Sequence, residues 1–274
     1  AIKHRGPDST AYVRFNLSNE DFKKSNSTNQ KESKDFQCAA GFNRLSIRDL
    51  SNVADQPMLS QVNNSFICFN GEIYNTNDLK QELNLKNIHL RSCSDTEIIL
   101  EYFLQYGVER LADRIEGMYS ICIYDSISKC IYAFRDKFGI KPLYYSSFDD
   151  TLIVASEIKS ILKHPDFKFK VNYEHFDEYL KFRYVTPPNT LITSVYQIIP
   201  GEIKKINSSL NLSTQKEYWN EKINTNNFKL DMHQLISNSI ESQLISDVEV
   251  GLQLSGGLDS SLITYFAQKL QKNK

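Results

Sequence analysis

Apolar and polar residues alternate along several short stretches of the chain, and a period of two predicts strands. Residues 117–125 and 130–135 alternate on either side of a short turn and read as a hairpin, residues 11–15 and 37–47 are strand-like as well, and the compact apolar runs 66–69 and 152–155 also read as strands. Between them the period lengthens. Leu79 and Leu83 stand four apart within 76–85, and Ile98, Ile99, Tyr102 and Phe103 make one apolar face after Ser94, so both segments read as helices. Ser94 with Glu97 three residues on fits a capping box, with Asp95 as a first-turn acid that complements the helix dipole. Further helices are expected from Ser156-Glu157-Ile158-Lys159, over 173–182, and through Leu230, Leu235, Ile236, Ile240 and Leu244. Hairpin spacing through the first part of the chain predicts a sheet-rich α+β unit.

Two stretches break the pattern. Residues 18–35 are rich in Ser, Asn, Lys and Glu and read as a solvated loop, and from about 167 to 227 the sequence is irregular, punctuated by Thr186-Pro187-Pro188-Asn189 and Pro200-Gly201. Near the end, residues 248–254 alternate as a strand and run into Ser255-Gly256-Gly257-Leu258-Asp259-Ser260-Ser261, ahead of a helical pattern. Strand, glycine loop and helix start together describe an anion site, because backbone N–H groups, hydroxyls and the helix dipole all favour negative charge. No Lys follows the glycines, so this is not a Walker loop. An ordinary turn with Asp259 or Ser260 capping the helix is the alternative.

Composition narrows the classes. The 274 residues allow two domains, and 41% hydrophobic with 24% charged residues is ordinary for a globular protein. A formal charge of −1 carries no footprint for nucleic acid or an anionic membrane, and no apolar run reaches membrane-spanning length. Five cysteines, odd in number and without a C-x-x-C pair, predict reduced thiols and a cytoplasmic protein.

Several short motifs then fall in one order: Arg5-Gly6-Pro7-Asp8, Arg44-Leu45-Ser46-Ile47, Asn70-Gly71-Glu72-Ile73-Tyr74-Asn75, Ser94-Asp95-Thr96-Glu97, Arg135-Asp136 with residues 139–145, Ala155-Ser156-Glu157, and Ser255 to Ser260. Alone, Asn70-Gly71 is a hairpin-turn signal and Arg135-Asp136 a structural ion pair. Together they resemble the class II glutamine amidotransferases of the asparagine synthetase type. That resemblance implies a four-layer αββα N-terminal-nucleophile glutaminase over 1–165, a connecting region over 166–227, and the beginning of a parallel α/β ATP pyrophosphatase (PP-loop) domain over 228–274.

The resemblance also implies roles. Arg44 anchors the glutamine carboxylate with a planar guanidinium, Leu45 and Ser46 line the same site, and Glu72 and Asp95 hold the ammonium. The Asn70 amide and the Gly71 N–H form an oxyanion hole. Gln253, Leu254, Ser255, Gly256, Gly257, Asp259 and Ser260 bind ATP, with Asp259 the candidate Mg2+ ligand. The reaction implied is transfer of glutamine ammonia to an adenylated aspartate, with release of AMP and pyrophosphate. Glutamine, aspartate and ATP are then the partners, without nucleic acid or membrane, and a homodimer is left open.

In that family the nucleophile is a cysteine at the mature N-terminus. The chain opens at Ala1 close to Arg5-Gly6-Pro7-Asp8, so a Cys-Gly-Ile start is expected upstream, and the rest of the ATP domain after Lys274. A piece lacking both is expected to be inactive by itself. Two alternatives stay open: another acceptor carboxylate (a sugar acid, a peptide or a β-amino acid), or a binding protein that keeps the fold without the chemistry.

Overall fold

The hairpin foreseen from alternation forms with the expected bounds: β6 (Gly117–Asp125) pairs antiparallel with β7 (Cys130–Arg135), Ile121 opposite Phe134 and Ile123 opposite Tyr132. The chain is described here from a computed structural model over residues 2–16, 22–25, 36–217 and 231–272. On the other edge of β6 lies β5 (Phe66–Ile73), followed by the two-residue β4 (Met58–Leu59). Beyond β7 come β11 (Glu202–Ile206) and β12 (Leu212–Glu217), which complete a six-stranded antiparallel sheet in the order β12-β11-β7-β6-β5-β4.

Alternation gives that sheet two different faces. Ile67, Phe69 and Ile73 of β5, Tyr119, Ile121 and Ile123 of β6, and Tyr132 and Phe134 of β7 point to one side. There they pack with Leu79 and Leu83 of α1 (Thr76–Asn84) and with Ile98, Ile99, Tyr102 and Leu111 of α2 (Asp95–Arg114). This is the largest core, and α2 is interrupted within it at Gly107, whose φ of 82° falls in the left-handed region.

The other face meets two small sheets. In one, β1 (Ser9–Phe15) lies between β2 (Phe22–Ser25) and β3 (Cys38–Arg44), and Val13 and Phe15 pack on Phe66 and Tyr124 of the large sheet. In the other, β8 (Tyr144–Phe148) lies between β9 (Thr151–Ala155) and β10 (Val195–Gln197), and Leu143 and Ile198 pack on Ala133 of β7. The short helix α3 (Ile158–Ile161) covers β8 and β9. The layers run helix, sheet, sheet, helix, which is the αββα class expected from the resemblance.

Four sequence expectations are corrected. The polar stretch 18–35 contains β2, which pairs with β1 and brings Phe22 against the second core; the rest of the stretch lies outside the described residues. The segment 166–227, expected as a connection, is built into both sheets, since β10 pairs with β8 and β11 with β7. Its first part forms a 3-10 turn at Tyr173–His175 and α4 (Phe176–Phe182), as foreseen, and its end at 218–227 is outside the described residues. The stretch 248–254 is not extended into a strand, because a strand needs a neighbour to take up its N–H and C=O groups and none of the described strands pairs with it. The flanking helices α5 (Met232–Gln243) and α6 (Leu258–Lys272) do form.

The fourth correction concerns Arg135 and Asp136, expected as a structural ion pair. The fully buried Asp136 carboxylate accepts hydrogen bonds from the backbone N–H groups of Tyr119 (3.2 Å), Phe138 (3.1 Å), Ile140 (2.8 Å) and Lys141 (3.0 Å). Arg135 donates to the carbonyls of Gly139 and Ile198. Both side chains therefore fold the turn between β7 and β8. Removing the acceptor strands buried donors, so Asp136→Ala should lower unfolding stability by about 3 kcal/mol or more. Urea unfolding followed by circular dichroism measures it; a loss under about 1 kcal/mol would show that the turn stands without this carboxylate.

Candidate functional site

Strand β5 carries the motif Asn70-Gly71-Glu72 and, against the hairpin-turn alternative, stays extended through it. Asn70 stands opposite Ser120, Gly71 opposite Tyr119 and Glu72 opposite Met118. The glycine is required by proximity and not by a turn, since a Cβ there would lie 2.1 Å from the Met118 carbonyl oxygen. Along β5, alternate backbone groups face opposite edges. The Phe69 N–H donates to the buried side chain of Gln56 (2.6 Å), whose amide returns a bond to the Phe69 carbonyl (3.0 Å), and the Ile73 N–H donates to Asp95 (3.3 Å). The Gly71 N–H, two residues from each, points to the same edge, where no described residue accepts it.

Side chains alternate likewise, so Cys68, Asn70 and Glu72 point away from the helices and into a cavity of about 550 Å³ between the sheets. Arg44, Leu45, Asn70, Gly71, Glu72 and Asp95 all border this cavity. Ser46 sits beside it and does not line it; its N–H donates to the Asp8 carboxylate at 2.7 Å. Asp95 arrives from the first turn of α2, where Ser94 accepts from the Thr96 N–H as N-cap. The expected capping box is not closed. Glu97, fully buried, reaches back instead to the N–H groups of Arg91 (3.1 Å) and Ser92 (2.7 Å) and to the Arg91 guanidinium.

Arg44, at the end of β3, is 6% exposed and heavily engaged. It pairs with Asp55 at 3.0 Å and donates to the carbonyls of Ser51 (2.9 Å), Arg48 (3.3 Å) and Asp49. Four of the five guanidinium N–H groups are thus committed to its own loop, and no described group accepts from the Nε–H.

A second arginine, which the sequence did not single out, occupies the acidic side. Arg48 lies 3.6 Å from Glu72 and 3.5 Å from Asp95, and donates to the Ile73 carbonyl at 2.9 Å. Burial, then the neighbouring Asp95 charge, push the Glu72 carboxyl up to about 7 against the opposing pull of Arg48 and Lys141. Burial also raises Asp95, with Arg48 the main opposing influence. Even with Arg48 shared between them and Lys141 near Glu72, burial leaves both acids raised, and a further positive group would relieve that cost. Arg48 and Gln56 escaped sequence reading because a loop residue carries no periodic signal and their partners are distant along the chain.

The thiols bordering the cavity are poor nucleophiles. Cys68 and Cys122 face one another across β5 and β6, and burial pushes Cys122 up to about 12 and Cys68 well above the ordinary thiol range. Both border the cavity half-buried, and Cys93 is exposed.

The residues named for nucleotide binding lie apart from this cavity. Gln253, Leu254, Ser255, Gly256, Gly257 and Asp259 are all exposed, and Ser260 is half-buried. The Ser255 hydroxyl meets the Ser260 hydroxyl at 2.9 Å, and Ser260 donates to the Gly257 carbonyl at 3.2 Å. Gly256 has φ of 82°, and a Cβ there would meet nothing within 4 Å. The first turn of α6 presents its N–H groups beside this open loop.

Comparison with known proteins follows the same division. A family described as "Glutamine amidotransferase domain" matches residues 22–219, and one described as "Asparagine synthase" matches residues 231–274. Glutamine-hydrolyzing asparagine synthetase 1 of Bacillus subtilis is 34% identical over 273 residues, 98% of this chain and 39% of that protein. Synthetase 2 of the same organism is 31% identical, covering 99% of this chain and 35% of that protein. A putative glutamine-hydrolyzing asparagine synthetase of Methanocaldococcus jannaschii is 28% identical, covering 96% and 51%. The chain therefore spans about two-fifths of the length of the Bacillus relatives.

Among solved structures, the glutamine phosphoribosylpyrophosphate amidotransferase from B. subtilis complexed with ADP and GMP superposes with a TM-score of 0.58 at 20% identity, over 80% of this chain and 45% of that one. A structure of the allosteric regulatory enzyme of purine biosynthesis gives 0.59 at 21% identity, over 80% and 45%. These likenesses speak to fold, and they agree with the αββα layering of the sheets and helices. Matched over residues 22–219 on that frame, the chain belongs to the glutamine amidotransferase domain family.

Proposed function

We propose that the chain serves glutamine-dependent asparagine synthesis, in which glutamine hydrolysis supplies ammonia to an ATP-activated aspartate with release of AMP and pyrophosphate. The observation that carries the first half is the unclaimed Gly71 N–H beside Asn70, in a cavity that also holds Arg44, Glu72 and Asp95. Glutamine needs a cation for its carboxylate, anions for its ammonium and donors for the oxygen that becomes negative in the tetrahedral intermediate. Arg44 Nε–H serves the first, Glu72 and Asp95 the second, and the Gly71 N–H with the Asn70 amide the third. The nucleophile is a thiol other than the high-pKa Cys68 and Cys122, as the N-terminal cysteine of the resembling family would be. The second half rests on the names of the asparagine synthetase relatives and on the exposed loop from Ser255 to Ser260.

That loop suits ATP phosphates: an open glycine, two hydroxyls and a helix N-terminus offer donors without a bulky side chain in the way. Gln253 and Leu254 lead into it. Asp259, an exposed carboxylate in the first turn of α6, is the Mg2+ ligand we assign, since Mg2+ is commonly held by one or two carboxylates together with waters and substrate phosphates. When bound, the ion neutralises phosphate charge. The substrates are then glutamine, aspartate and ATP, and the reducing cytoplasm suits the exposed thiol of Cys93.

Three outcomes are expected of the full-length protein. Arg44→Ala should abolish glutamine-driven synthesis of asparagine and spare synthesis from free ammonia; equal loss of both, or no asparagine formed from aspartate by the wild type, counts against the reading. Asn70→Leu should lower glutaminase kcat by about a hundredfold or more with a modest change in KM, because the amide acts on charge that develops in the transition state. Glutamine binding should also depend on pH. Glu72 is raised to about 7, so it is largely protonated below that value and becomes the anion that an ammonium prefers above it. The Kd for glutamine, measured calorimetrically from about pH 6 to 9, should fall as pH rises through 7 and level off about one unit above it. Glu72→Gln should remove the slope, and a parallel slope in that variant would assign the titration elsewhere.

A further inference from the structure

The loop that holds Arg44 is tied to the second half of the chain. Asp49 adopts a left-handed conformation (φ 52°), tolerated by aspartate yet needing support from its surroundings. Its own carboxylate supplies part of that support, accepting from the N–H groups of Ser51 (3.1 Å) and Cys93 (2.8 Å). Its carbonyl, with those of Arg48 and Ser51, orients the Arg44 guanidinium. The remaining support comes from Asp247, between α5 and the glycine loop. The Asp247 carboxylate accepts from the Asp49 N–H at 2.7 Å, and the Asp247 N–H donates to the Ile47 carbonyl at 3.0 Å. Beside this two-bond clamp, Ser242, Gln243 and Ile245 close a cavity of about 60 Å³ against Arg48, Glu72, Tyr74 and Met118.

We infer that Asp247 is a positioning residue for the glutamine site: by clamping Ile47 and Asp49 it fixes the carbonyls that aim Arg44, so the segment leading to the glycine loop holds the glutamine anchor in place. The inference rests on the glutamine-binding role proposed for Arg44. Asp247 touches neither the cavity nor the oxyanion donors, so its loss acts on binding and leaves the chemical step alone.

The test uses the full-length protein with glutamine and, separately, with ammonium as nitrogen source. Asp247→Ala should raise the KM for glutamine at least fivefold, with kcat and the ammonium-driven rate within twofold of wild type. Asp247→Asn keeps an oxygen acceptor for the Asp49 N–H and should restore KM to within twofold of wild type. An unchanged glutamine KM in Asp247→Ala overturns the inference, as does an equal fall of both reactions, which would mark a general structural role. A wild-type protein that turns over no glutamine overturns the functional reading as well, so the two failures are told apart by the wild-type control.

Discussion

The close approach of β5 and β6 at Gly71 is the constraint on which the site depends. With a Cβ position only 2.1 Å from the Met118 carbonyl, no side chain fits without separating the strands, and the pairing from Phe66 to Ile73 stays unbroken. An unbroken strand has a strict alternation of side chains and of N–H directions. Cys68, Asn70 and Glu72 therefore reach the cavity while Ile67, Phe69 and Ile73 enter the main core, and one register error would exchange them. The same alternation leaves the Gly71 N–H pointing to the open edge between groups taken by Gln56 and Asp95.

Electrostatics at that edge follow from burial. Glu72 and Asp95 share the single guanidinium of Arg48 in a poorly hydrated place, and desolvation outweighs the pairing, so both carboxyls rise above their ordinary values. Arg48, with Lys141 acting on Glu72, offsets that burial only in part, and an arriving ammonium would offset it further. Arg44 is balanced differently, with Asp55 and three carbonyls around it, and its role is fixed in direction more than in strength. The motifs near the start of the chain serve the same region: Arg5 pairs with Glu157 at 3.1 Å, and Asp8 holds the Ser46 N–H.

Much of the frame was legible in the chain. The β6–β7 hairpin, α1 and α2 followed from period and capping signals, because in those elements the local pattern agrees with the packing. Elements whose formation needs a distant edge were not legible. β2 exists because β1 offers an edge, β11 because β7 does and β12 because β11 does; Ile203 enters the main core and Phe22 packs on the second only through those pairings. Residues 248–254 show the converse, with strand-like alternation and no strand beside them among the described residues.

The candidate site divides along the same line. Short motifs named Arg44, Asn70, Gly71, Glu72 and Asp95, since residue type and order survive in a linear reading. Sequence alone determined a sheet-rich α+β unit, its hydrophobic faces and the chemistry on offer, and its resemblance to the class II glutamine amidotransferases supplied the αββα class. Only the tertiary structure decided that Asn70-Gly71 is extended, that Arg48 sits between two acids, that Glu97 turns away from its helix to Arg91 and Ser92, and that Asp247 clasps the Arg44 loop. Those are contacts between residues far apart in the chain, set by which strands share an edge and how much water the packing excludes, and neither quantity is a property of any local stretch.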